Sequence, residues 1–364
     1  MRNRITILCV RVVVLLVGTL PALAQADTDA ALAYLETQQT ADGGIGSGFS
    51  PESTVGSTAD AVLAIVAVGG DPAAFDQGGN TPLSYLAANA PSDATGGDLA
   101  KLILALIAVG TGEDPRTFGG VDSVARLESM IGVDGRIGGE NDIFVGHTLA
   151  VLALSSAQRP IPAASVAHIK AAQQENGAWA WDGSSETAAD TNTTAYAVQA
   201  LFAAGEDAGS DAVTRALAYY EGIQNTDGGW PYQSPSEFGT ATDANSTAVI
   251  IQALLAAAQD PTGADWTTAE GNTPLSALEA FQNESGAFAW QAAVPDDNLL
   301  ATVQALPALA GKALPFAAMD VGEAAVTTPV TMPETGGAVA SLAWSVVLAG
   351  LALAGGGYAL TRRQ

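Results

Sequence analysis

The chain has 364 residues, 48% hydrophobic and 14% charged, enough for one large or two ordinary domains with a real core. Lys and Arg total 13 against 38 Asp and Glu, a formal charge of −25, and such a surface repels phosphate backbones, which excludes a nucleic-acid partner. Cys9 is the sole cysteine, so a chain processed after residue 26 has no disulfide, thiolate zinc site or cysteine nucleophile.

The first element is an export signal. Arg2 and Arg4 form a basic start, residues 5–20 are mostly apolar, and Ala24-Gln25-Ala26 is a small-x-small cleavage site before Asp27. Residues 1–26 therefore read as a signal peptide.

The body, residues 27–312, is built on a repeat. The core [Val/Ile]-[Leu/Gln]-Ala-[Leu/Ile] recurs six times, beginning at Val62, Ile103, Val151, Val198, Ile251 and Val303. Five residues before each copy stands an N-cap type: Ser57, Asp98, Gly146, Thr193, Ser246 and Asn298. This spacing predicts inner helices over 57–68, 98–109, 146–157, 193–204, 246–257 and 298–310, apolar almost all round and hence buried. Pro307 is expected to end or kink the last. Amphipathic outer helices are predicted over 29–39, 82–90, 121–131, 162–174, 210–224 and 273–282. Two of these open on an N-cap followed by proline, Thr81-Pro82 and Thr273-Pro274. Strand signals are absent, so the body reads as all-α, six helical hairpins closed into a ring.

A turn motif follows most outer helices. It reads Gln39-Thr40-Ala41-Asp42-Gly43-Gly44-Ile45, Val133-Asp134-Gly135-Arg136-Ile137 and Gln174-Glu175-Asn176-Gly177-Ala178-Trp179. Later come Gln224-Asn225-Thr226-Asp227-Gly228-Gly229-Trp230 and Gln282-Asn283-Glu284-Ser285-Gly286-Ala287-Phe288. Asp/Asn-Gly marks a tight turn because glycine accepts positive φ.

These motifs resemble the repeats of the terpenoid cyclase and protein prenyltransferase superfamily. The resemblance covers residues 27–312 and implies an (α/α)6 toroid. The family's chemistries leave their marks in sequence, and this chain lacks them: there is no Asp-x-Asp-Asp acid of class II cyclases, and no Asp-Cys-His zinc set. Locally, Asp190-Thr191-Asn192-Thr193-Thr194-Ala195-Tyr196 and Asp243-Ala244-Asn245-Ser246-Thr247 are similar to the toroid of the transcobalamin and intrinsic-factor group, where such strings face the ligand. No small β domain follows to close over cobalamin, so no cofactor is expected.

Taking the first core position as zero, position +1 reads Leu63, Leu104, Leu152, Gln199, Gln252 and Gln304. Position −2 reads Asp60, Lys101, Leu149, Tyr196, Val249 and Ala301, and shares a helix face with +1. The face continues through the small residues Ala67, Ala108, Ser156, Ala203, Ala256 and Ala308. The stripe is the expected lining of a central cavity, with an Asp60–Lys101 ion pair between adjacent units. Asn192, Asn245 and Asp297 are expected at its rim, beside Trp181, Tyr232 and Trp290, which stand two residues beyond the aromatics of the glycine turns. Asp190 and Asp243 either cap helices or, as the sharper alternative, bind a polyhydroxylated ligand or contribute oxygens to a calcium site. His147 and His168 give no metal spacing.

Residues 313–337 form a linker ending in Met332-Pro333-Glu334-Thr335-Gly336-Gly337. An apolar run over 338–360 and Arg362-Arg363 follow, long enough to cross ~30 Å of hydrocarbon with the tail in the cytoplasm. Motif, apolar run and basic tail resemble LPXTG-type sorting signals, which implies cleavage between Thr335 and Gly336; the alternative is a plain C-terminal transmembrane anchor helix, residues 338–364 comprising that helix and its basic tail. The expected function is a surface-anchored toroid that binds a small polar ligand, glycan or surface protein, attached to membrane or cell wall. The runner-up is a carbohydrate-active or cyclase-like enzyme using carboxylates at the toroid mouth.

Overall fold

The computed structural model describes residues 26–320, apart from 91–93, 111, 140, 141 and 238. The signal peptide, the sorting-like motif with Thr335 and Gly336, and the apolar run over 338–360 lie outside these residues. Among the described residues no helix is long and apolar enough to cross a membrane.

Among the described residues six outer helices alternate with six inner ones. The outer set is α1 (Thr28–Thr37), α3 (Pro82–Asn89), α5 (Ser123–Ser129), α7 (Ala163–Ala171), α9 (Asp211–Ile223) and α11 (Pro274–Glu279). The inner set is α2 (Val55–Ala67), α4 (Gly96–Val109), α6 (Phe144–Ser156), α8 (Thr191–Ala203), α10 (Ala244–Ala256) and α12 (Leu299–Leu309). Each inner helix packs on the next, and α12 packs back on α2, so the ring is closed. The repeated alanines Ala64, Ala105, Ala153, Ala200 and Ala253 are fully buried, which lets neighbouring inner helices approach closely. Around them Val62, Ile65, Leu102, Ile103, Leu106, Val151, Leu154 and Leu201 are also fully buried, each worth about 1.5–3 kcal/mol.

The glutamines of the turn motif join the units. Gln39 Nε2 donates to the carbonyls of Gly43, Phe75 and Asn80, tying its own turn to the start of the next outer helix. Gln224 Nε2 does the same to Gly228 and Trp266, and Gln282 Nε2 to Gly286 and Asp27. The last joint closes the ring, because Asp27 is the N-cap of α1. In the fourth hairpin the joint is made by Gln173, bonded to Gly177 and Ala212, rather than by Gln174. The turn glycines are required there. Gly228 has φ +94, and a Cβ on it would lie 2.6 Å from the Thr273 carbonyl oxygen. On Gly286, at φ +88, it would lie 2.2 Å from that of Ala30.

Four sequence expectations are corrected. The N-caps of the first five inner helices are Thr54, Thr95, Ile143, Asp190 and Asp243, three residues before the expected column. In four of these units the expected caps Ser57, Asp98, Thr193 and Ser246 supply instead the backbone N–H that the true cap accepts. In the sixth unit Asn298 is the cap, so the equivalent of Val62 is Leu306 and not Val303. A side-chain bond confirms the register. Thr58, Thr194, Thr247 and Thr302, each four residues past its cap, accept from the residue after the glycine turn (Ile45, Trp179, Trp230, Phe288).

Pro307 does not end α12, which runs on to Leu309. Finally, strands do occur: β1 (Phe288–Gln291) and β2 (Val294–Asn298) form an antiparallel hairpin with an irregular register. It extends the bridge that Trp179 makes with Asp190 in the fourth unit, so it grows from the repeat's own turn.

Candidate functional site

With the register corrected, the ring's inner face resolves into levels counted from the N-caps. Six residues past each cap stand Asp60, Lys101, Leu149, Tyr196, Val249 and Gln304. At 1.5 Å per residue this collar lies roughly 9 Å below the helix N-termini. Lys101 Nζ meets Asp60 Oδ2 at 2.6 Å, the ion pair expected from the shared register. Both side chains keep 29% of their exposure, so solvent reaches the pair. Burial works against the Lys101 ammonium, but the Asp60 carboxylate outweighs it and holds the pKa up at about 12. Burial, reinforced by the Asp60 charge, pushes the Tyr196 phenol up to about 12, so it stays a neutral O–H at physiological pH. Gln304 completes the collar. Its Nε2 reaches the Tyr196 hydroxyl at 3.5 Å, and its Oε1 accepts from Asn245 Nδ2 at 3.1 Å. Its backbone carbonyl accepts from Gln252 Nε2 at 3.3 Å. Tyr196, Asn245, Gln252 and Gln304 are therefore brought together.

Gln199 is not part of that group. It is fully buried, and its Oε1 accepts from the backbone N–H of Leu314 at 2.9 Å. Leu314 belongs to a segment, 311–320, that crosses the C-terminal end of the ring. There Lys312 Nζ donates to the Val66 carbonyl, the Ser156 hydroxyl to the Ala317 carbonyl, and the Met319 N–H to Ser156. The small residues at the ends of the inner helices, expected to line the cavity, include the Ser156 that holds this segment. It begins what reads in sequence as linker, and it leaves the N-terminal side of the ring as the mouth.

At the mouth, Asn192 and Asn245 occupy equivalent positions two residues past their caps, 7% and 6% exposed. Asp190 and Asp243 are the caps themselves. Asp190 accepts from the Thr193 N–H at 2.7 Å and the Thr193 hydroxyl at 2.8 Å, and Tyr232 hydrogen-bonds to it from the next turn. Asp243 accepts from Ser246 N–H at 2.9 Å and, one unit on, from the Trp290 indole. Burial pushes their carboxyls up to about 7 and about 6. Tyr232 and Trp290 thus brace caps of the preceding unit. Trp181, the third aromatic of the set, is half-buried with no hydrogen-bond partner among the described residues. The cap of its preceding helix is Ile143, which offers no acceptor side chain. Asp297, expected at the rim, lies on β2 instead, exposed and bonded to Asn283 and Ser285 at 2.8 Å.

His147 takes the place that threonine fills in four other units. Its Nδ1 accepts from the Ile137 N–H at 2.9 Å, so Nε2 carries the proton and donates to the Ser165 carbonyl at 3.1 Å. Burial lowers its pKa to about 4. His168 meets it edge-on, ring centroids 4.9 Å apart, and is half-buried. His168 also borders an outer cleft of about 460 Å³ lined by Arg136, Asp142, Phe144 and Asp182. Among the described residues no group of three or more His, Cys, Asp and Glu is placed to hold a metal ion.

The closed ring of helical hairpins is the architecture that the comparisons match. Its repeats are similar to those of the terpenoid cyclase and prenyltransferase α/α-toroid superfamily. A profile of the squalene-hopene cyclase C-terminal domain matches residues 139–294, and one of the prenyltransferase alpha-alpha toroid domain matches residues 3–94. Among solved structures, the toroid is similar to the type II terpene cyclase MstE from Scytonema, at 13% identity and TM-score 0.53, covering 78% of this chain and 96% of that one. It is similar to a glycosidase at 13% identity and TM-score 0.53, covering 78% and 95%. Haptocorrin in complex with Cbi matches at 18% identity and TM-score 0.46, covering 80% and 67%. At these identities the likeness to the cyclase and the glycosidase is one of fold. No curated protein matches the sequence.

Proposed function

We propose that this toroid is a binding module that takes a small polar ligand through the N-terminal mouth of its inner helices. The chain is exported by residues 1–26 and held at the cell surface by 338–364, directly or after sortase cleavage between Thr335 and Gly336. The observation that carries the reading is the collar. Four of six equivalent positions hold Asp60, Lys101, Tyr196 and Gln304, where Leu149 and Val249 fill the other two without polar atoms. A ring needing only a packed core has no use for a solvent-reached ion pair at its centre.

The arrangement at the mouth disfavours the enzymatic alternative. Asp190 and Asp243 spend their oxygens on their own helix termini and on Tyr232 and Trp290, while Asp297 sits on the outer hairpin. A pair of carboxylates facing each other across a substrate is not assembled from them.

A thermal-shift screen of sugars, polyols, amino acids and small amides against the full chain tests the proposal. Tyr196→Phe and Gln304→Leu are expected to fold and to diminish the shift given by the best ligand. A ligand whose shift survives both substitutions binds elsewhere and refutes the collar as the site.

A further inference from the structure

The collar has unequal hydrogen-bonding capacity. Lys101 Nζ carries three N–H donors, and among the described residues only Asp60 Oδ2 takes one. The Tyr196 hydroxyl accepts from Gln304, and its own proton meets no acceptor among them. On the other side of the pair, Asp60 Oδ1 accepts nothing among them. The site therefore offers three donors beside one carboxylate oxygen, arranged around a contact ion pair of zero net charge.

We propose that the ligand of this mouth is a small zwitterion of the α-amino-acid type. The inference rests on the binding reading above and names its ligand class. The ligand's carboxylate takes the two free N–H groups of Lys101 and the Tyr196 hydroxyl. Its ammonium takes Asp60 Oδ1. The two dipoles lie antiparallel, so each charge of the protein pair gains a second opposite neighbour without losing the first.

Other ligand charges fit less well. A simple anion faces the Asp60 carboxylate, 2.6 Å from the ammonium it would need, on a chain of net charge −25. A simple cation faces Lys101. A neutral polyol can make the same contacts, but a charged partner makes bonds roughly twice as strong as a neutral one. Gln304, Asn245 and Gln252 continue the polar wall beside the pair, where a side chain or amide of the ligand would rest.

Isothermal titration of the full chain in detergent tests this, with the common L-amino acids, acetate, methylammonium and glycerol as probes. At least one amino acid is expected to bind about tenfold or more tightly than each of the other three. The double variant Asp60→Leu/Lys101→Leu is expected to fold, because Leu149 and Val249 occupy the same level, and to lose that binding. If the double variant fails to fold, Tyr196→Phe replaces it, with a several-fold weaker affinity expected. Undiminished binding in either variant overturns the proposal. So does a wild-type chain that binds polyols and no amino acid, an outcome that leaves the polar-ligand reading standing. Failure of every polar probe overturns both.

Discussion

Lys101 and Asp60 stabilise each other only as a pair. Lys101→Met alone leaves the half-buried Asp60 carboxylate without its partner and is expected to cost about 1–3 kcal/mol in urea denaturation. Replacing both by leucine is expected to be nearly neutral, since leucine and valine stand at this level elsewhere in the ring. A double variant as unstable as Lys101→Met would mean that the pair is structural. His147 gives a second expectation. Its folded pKa, about 4, lies below the ordinary 6.5, so the unfolded chain binds the proton more readily between those values. Its contribution is intact above pH 6.5 and is lost as pH falls towards 4, where burial, His168 and Arg136 all oppose the charge. Asp190 and Asp243 act oppositely, because their raised pKa values favour the folded state until pH rises through about 7 and about 6. The variant His147→Thr isolates the histidine term. Threonine accepts the same N–H in four other units, and the variant is expected to gain roughly 2 kcal/mol on wild type between pH 7 and pH 4.5. A pH-independent difference in melting temperature would contradict the buried neutral tautomer.

The helical hairpins were legible because each carries its own period. The outer helices, the Thr-Pro starts and the six buried inner helices follow from sequence, and Thr81 and Thr273 do form capping boxes. Cap positions were less legible. Ser, Thr and Asp recur at the third helical residue as well as at the cap, so a column of cap types exists at both places and the later one is the more regular. The last unit misleads for a related reason. Val303-Gln304-Ala305-Leu306 mimics the repeat core, while the true equivalent, Leu306-Pro307-Ala308-Leu309, hides a proline at its second position. That slip of three residues moved Gln304 out of the collar, to which Asp60, Lys101 and Tyr196 had already been assigned. No sequence signal marks 311–320 as the closure of the ring, because its contacts are to backbone carbonyls and to single side chains far away in the chain. At the joints, Gln39→Leu is expected to cost about 2–4 kcal/mol, since three carbonyls lose a donor in a buried position. A loss below about 1 kcal/mol in chemical denaturation would mean that the glutamine is not what couples neighbouring units.

The whole molecule is strongly acidic, with few bases to balance it. Four of the five ion pairs found among the described residues have at least one side chain more than a third exposed, and such surface contacts stabilise little. Self-repulsion therefore outweighs pairing, and the melting temperature is expected to rise as NaCl is raised from low to molar concentration. An unchanged value would contradict this. The addresses at the two ends make a separate claim about the cell: deleting residues 338–364 should release the body into the medium, and a truncated chain still retained on the cells would refute the anchor. The central claim, that the ring's polar centre is a ligand site, is tested most directly by a crystal structure of the body with the best ligand from the binding screen. The account expects that ligand in the mouth, within hydrogen-bonding distance of Lys101, Tyr196 and Asp60. A ligand seated instead in the outer cleft beside Arg136 and His168 would contradict it.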